Sequence, residues 1–111
     1  MTIRVDSGNL LLYIYKRKIE DEEMLDSNQL LEEAGWNKVR LNNASQYLIE
    51  SGFIEGTVLK GASSTKVQST SISDITPSGI NIIEAESEFK QNFGFTVNLG
   101  FIQINWGAQE S

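Results

Sequence analysis

Residues 44–56, Ala44-Ser45-Gln46-Tyr47-Leu48-Ile49-Glu50-Ser51-Gly52-Phe53-Ile54-Glu55-Gly56, decide how the chain is read, because the apolar pattern changes within them. Up to Ser51 the positions Leu41, Ala44, Tyr47, Leu48 and Ser51 follow a 3.6-residue period, which predicts a helix. Gly52 is the residue type that tolerates a left-handed helix cap. Beyond it Phe53, Ile54, Thr57, Val58 and Leu59 are strand formers. Gly61 to Thr65 is turn material, and Val67 to Ile75, rich in Thr, Ser and Ile, reads as a return strand. A hairpin with a polar tip is expected over residues 53–75.

Outward from this stretch the helix signals are local and repeated. Asn37 caps the helix that ends at Ser51, with Trp36 stapled to Leu41. Asp26 caps the helix before it, Gln29 completes a capping box, and Leu25 with Leu30 forms the staple. That helix buries Leu30, Leu31 and Ala34 and stops at Gly35. An earlier helix is expected from near Ser7 through Leu11, Ile14, Tyr15 and Ile19, ending in the charged stretch 16–23. After the hairpin, Thr76 caps a fourth helix, Pro77 takes its first position, and Ile75 staples to Ile80. Further on, Phe95, Val97, Leu99 and Phe101 alternate, and then Ile102, Ile104 and Trp106 alternate in the opposite phase. A slip of phase beside Gly100 means a turn or bulge, so a short β-hairpin or one bent strand is expected there.

The chain has 111 residues, a length that suits one domain able to bury a core without staples. It contains no Cys and no His, which excludes disulfides, thiolate and imidazole metal sites and histidine-based catalytic triads. Gly56 to Gly61 is not a phosphate loop, because Ala62 stands where the Lys-Ser/Thr pair must follow. Glu20, Asp21, Glu22 and Glu23 read as a solvated charge run and not as a magnesium site. Asn43-Ala44-Ser45 matches a glycosylation pattern by chance. No arrangement points to catalysis, so the expectation is a non-enzyme without cofactor or metal. No stretch reads as a signal peptide or membrane span, so a cytoplasmic protein is expected.

Three helices, a two-stranded hairpin and a further helix is the element order of a winged helix-turn-helix. The string Ala44 to Gly56 resembles the end of the third helix and the entry to the wing in such domains. Ile75-Thr76-Pro77-Ser78-Gly79-Ile80 is similar to the segment that starts their last helix. Over about residues 10–88 the chain resembles the YjcQ-like family, small winged-helix proteins of Gram-positive bacteria and their phages. The resemblance implies an α+β winged-helix domain, taken over residues 1–92; the β-rich tail over 93–111 is read from the alternation and not from the resemblance. The resemblance also implies a transcriptional regulator or phage accessory factor that binds double-stranded DNA. The chain departs from the usual pattern in its acidity and in the tail.

The formal net charge is -6, yet it is unevenly spread. Residues 36–72 carry Lys38, Arg40, Lys60 and Lys66 against Glu50 and Glu55, and both flanking segments are net acidic. The third helix and the hairpin therefore gather the excess cations where a winged helix meets phosphate. Lys38, Arg40, Asn42, Asn43 and Gln46 are expected to face outward as groove-reading side chains, with Lys60 and Lys66 on the backbone beside them. The competing reading is a protein-interaction module on the same fold, whose acidic surface faces a basic partner. Phe95, Phe101, Ile102, Ile104 and Trp106 place large apolar groups on both faces of the tail, which suggests a homo-oligomer interface.

Overall fold

In the computed structural model, residues 2–61 and 67–107 are described, and Lys66 falls outside them. The chain order is α1 (Ile3–Ile19), α2 (Ser27–Ala34), α3 (Lys38–Glu50), β1 (Ile54–Lys60), β2 (Val67–Ile75), α4 (Pro77–Glu84) and α5 (Glu86–Phe93). Among the described residues this is an α+β domain of five helices and one two-stranded antiparallel sheet.

Helix α1 is the axis of the molecule. Every residue from Asp6 to Tyr15 is buried, so this helix is covered all round instead of on one stripe. It packs against α3, α4, α5 and β2. Gly8 marks its closest approach to α5, since a Cβ there would lie 2.7 Å from both Phe93 Cβ and Phe95 Cε1. The helix starts earlier than the sequence suggests: Thr2 caps it by accepting from the Val5 N–H.

The capping signals hold in detail. Asp26 and Gln29 form the reciprocal capping box, and Gly35 closes α2 at φ 69°. Asn37 accepts from the Arg40 N–H at the start of α3. Thr76 accepts from the Gly79 N–H, with Pro77 in the first turn of α4, and its hydroxyl donates to the Gly52 carbonyl at 2.6 Å. The α3–β1 corner and the start of α4 are thus tied by one side chain. The fourth helix ends at Glu84, and a separate α5 follows, burying Phe89 and Phe93 and closing at Gly94.

The hairpin pairs Ile54 with Ile75 and Lys60 with Val67, with register shifts after Glu55 and Leu59. It is held to the helices through polar groups. Asn42 Nδ2 donates to the Gln68 carbonyl, the Thr70 hydroxyl donates to Asn42 Oδ1, and Ser27 donates to the Thr70 carbonyl.

Among the described residues the expected β-rich tail is not seen: residues 94–107 contain no strand. The turn near Gly100 is real, with the Phe101 N–H donating to the Asn98 carbonyl and the Gly100 N–H to Asn98 Oδ1. The segments on either side do not pair with each other. They run extended over the helices as a strap, and Val97 is buried while Phe95, Ile102, Ile104 and Trp106 pack against the core.

Candidate nucleic-acid interface

The third helix is positioned by α1 beneath it and the hairpin beside it. Leu41, Ala44, Ser45 and Leu48 face inward and are buried. What remains outward is a stripe of Val39, Asn43 and Glu50 with half-buried Gln46 between the last two, spaced three or four residues apart, and Lys38 is exposed at the N-terminal end. Val39 is 62% exposed, an apolar group that the periodicity did not single out. Gln46 donates to Glu50 at 2.9 Å, so the C-terminal end of the stripe carries a carboxylate.

Two residues expected to face outward do not. Asn42 is buried, because its amide bridges α3 to the β2 backbone at Gln68 and to Thr70. Arg40 is turned toward α1. Its Nε and Nη2 donate to the two carboxylate oxygens of Asp6 at 2.8 and 2.9 Å. Nη2 also donates to the Trp106 carbonyl at 2.9 Å, and the guanidinium lies over the Trp36 ring, 4.6 Å from its centre. The Asp6 side chain is only 7% exposed, so the guanidinium compensates a carboxylate taken out of water. Arg40 is a structural cation.

The same junction anchors the strap. Trp36 Nε1 donates to the Trp106 carbonyl at 2.8 Å, and the Trp106 ring meets Trp36 and Tyr13 edge-on at 5.2 and 5.1 Å. The Asn105 N–H donates to Asn9 Oδ1. Trp36 is therefore a staple at the α3 start and a dock for the strap, and Trp106 makes its contacts within its own chain. Phe95 likewise meets Phe89 at 90°. Of the apolar tail residues, Phe101 stands out at 70% exposure.

No family model, curated protein or solved structure matches this chain. The surface must be judged on its own geometry. A shallow hollow of about 450 Å³ sits at the α2–α3 turn, lined by Gly35, Trp36, Asn37, Val39, Arg40 and Asn43. Lys38 lies next to it on α3, and Lys60 ends β1 on the hairpin side. Both lysines are exposed. The arrangement offers two exposed ammonium groups, two amides and one aliphatic side chain on adjoining elements. Asn and Gln amides can pair with base edges, an aliphatic group can meet a thymine methyl, and ammonium groups can neutralise phosphate. Among the described residues no helix is long and apolar enough to cross a membrane.

Proposed function

We propose that this chain is a winged-helix module that binds double-stranded DNA, with α3 in the major groove and the β1–β2 hairpin as the wing on the backbone. The observation that supports it most is the stripe of exposed Lys38, Val39 and Asn43, continued by half-buried Gln46, on a helix bonded directly to a hairpin through Asn42. A helix presented on one side, with a two-stranded flap next to it, is how such modules reach base edges and phosphates together.

The reading also sets the strength. With Arg40 engaged by Asp6, the cations for phosphate contact are Lys38, Lys60 and Lys66. Two or three neutralised phosphates give a salt slope of roughly -2 to -3 per module. One module is then a weak binder, and useful affinity requires two modules on one duplex.

The test is fluorescence anisotropy of a labelled duplex against salt. Binding in the micromolar range is expected at about 50 mM salt, with a slope of roughly -2 to -3 per bound module. Exchanging Lys38 and Lys60 for Glu abolishes it, whereas Asn43→Ala changes sequence preference more than overall affinity. No binding at tens of micromolar protein in that salt refutes the proposal.

A further inference from the structure

The strap creates a second surface, independent of the α3 stripe. Its turn at Asn98–Phe101 lifts away from the core, leaving Phe101 70% and Leu99 38% exposed. Across from them Ile19, on the last turn of α1, is 59% exposed. Between these groups runs a groove of about 760 Å³, with Tyr13 and Trp106 of the packed junction also lining it. Exposed large apolar side chains gathered around one concavity mark a contact surface.

Charge selects the occupant. Glu20 and Glu33 line the same groove. The run Asp21-Glu22-Glu23 follows directly, and Glu32 adjoins Glu33, all exposed. The cations nearby are engaged. Lys16, which itself lines the groove, pairs with Glu20 at 3.6 Å, Arg17 donates to the Glu23 carbonyl and the Tyr13 hydroxyl, and Lys18 pairs with Asp74; the carboxylates of residues 20–23, 32 and 33 still outnumber these three cations. The groove is apolar within and negative at its edge.

We infer that this groove docks a cationic amphipathic segment of a partner protein, its apolar face on Ile19, Leu99 and Phe101 and its Lys or Arg side chains toward Glu20 and Glu33. A helix laid in a groove places anchors at i, i+3 or i+4 and i+7, which suits a cleft of this size. A second copy of the chain is the wrong occupant: it carries a net charge of -6 and would bring the same carboxylates into contact. An anionic membrane is repelled for the same reason. The groove shares no lining residue with the hollow at the α2–α3 turn, so the inference stands whether or not α3 binds DNA.

The test uses the full chain and two fluorescein-labelled 15-residue peptides, a Leu/Lys amphipathic helix and its Leu/Glu counterpart. Anisotropy is expected to show Leu/Lys binding and at least roughly tenfold weaker Leu/Glu binding. Phe101→Ser and Ile19→Ser each weaken the Leu/Lys complex by roughly tenfold. Both sites are exposed, so far-ultraviolet circular dichroism should be unchanged. Glu33→Lys weakens it too, while Glu88→Lys on α5, an equal change in net charge, leaves it within about twofold of wild type. Equal binding of both peptides, insensitivity to Phe101→Ser, or equal effects of Glu33→Lys and Glu88→Lys overturns the inference. So does a dimer in sedimentation that Phe101→Ser dissolves, or Phe101-dependent binding to phosphatidylserine vesicles without peptide binding.

Discussion

Replacing Arg40 by Met separates a structural cation from a ligand-binding one. Methionine keeps most of the aliphatic length and removes the guanidinium, and with it the two hydrogen bonds to Asp6 and the one to the Trp106 carbonyl. The Trp106 carbonyl keeps the Trp36 donor. Among the described residues Asp6 keeps nothing comparable, and its carboxylate stays buried. Breaking a buried pair from one side costs about 3–5 kcal/mol. Arg40 itself is 15% exposed, which favours the lower end of that range. The lost stacking on Trp36 adds about 0.5–1 kcal/mol. We expect a loss near 3–4 kcal/mol, a large share of the 5–15 kcal/mol typical of a whole domain. Urea unfolding followed by tryptophan emission measures it, because both Trp36 and Trp106 sit at this junction. The double variant Asp6→Leu with Arg40→Met should recover most of the loss, since no unpaired charge remains. A cost under about 1 kcal/mol for Arg40→Met, the range of an exposed pair, would refute the reasoning and return Arg40 to the ligand-facing set.

Three further outcomes are expected. Gly8→Ala forces a Cβ to 2.7 Å from Phe93 Cβ; overpacking costs about 1–3 kcal/mol and outweighs the helix-propensity gain of about 1 kcal/mol, so the melting temperature falls. Thr76→Ala removes both the α4 cap and the bond to Gly52, and should cost about 1–2 kcal/mol in denaturant unfolding. Burial, and then the Glu84 carboxylate accepting from it at 2.8 Å, hold the Tyr15 phenol above its ordinary value. The stability this protects is complete below about pH 10 and lost as pH rises through the raised value. Glu84→Gln should lessen that alkaline loss in thermal melts, and identical pH profiles would contradict it.

The parts of the fold legible in the sequence were those encoded within a few residues. The helix starts capped by Asp26, Asn37 and Thr76 were readable because donor and acceptor lie three residues apart, at Asp26–Gln29, Asn37–Arg40 and Thr76–Gly79; the Thr2 cap of α1 has the same spacing to Val5 and was missed, since the sequence pattern places that helix start near Ser7. The hairpin was readable for the same reason, through strand formers bounded by turn residues. What failed depended on distance. Asp6 and Arg40 are 34 residues apart, and nothing local marks their pairing. Asn42 looked like any polar residue on a helix until the hairpin carbonyl at Gln68 was brought to it.

The tail shows how a real pattern can be assigned to the wrong structure. From Phe101 to Gly107 exposed and half-buried residues alternate strictly, with Ile102, Ile104 and Trp106 toward the protein. Period-two burial needs only an extended chain lying on an apolar surface. Here that surface is a set of helices, so no ladder forms. The break at Ala85 was also missed, although Phe89 and Phe93, four residues apart before Gly94, carry the signature of a separate helix.

The most direct measurement of the central claim is amide chemical-shift mapping of the isotope-labelled chain with a short DNA duplex at low salt. The account expects perturbations concentrated at Lys38, Val39, Asn43 and Gln46 and at Lys60, with the strap from 94 to 107 largely unmoved. Absence of shifts in α3, or shifts confined to Ile19, Leu99 and Phe101, would contradict it.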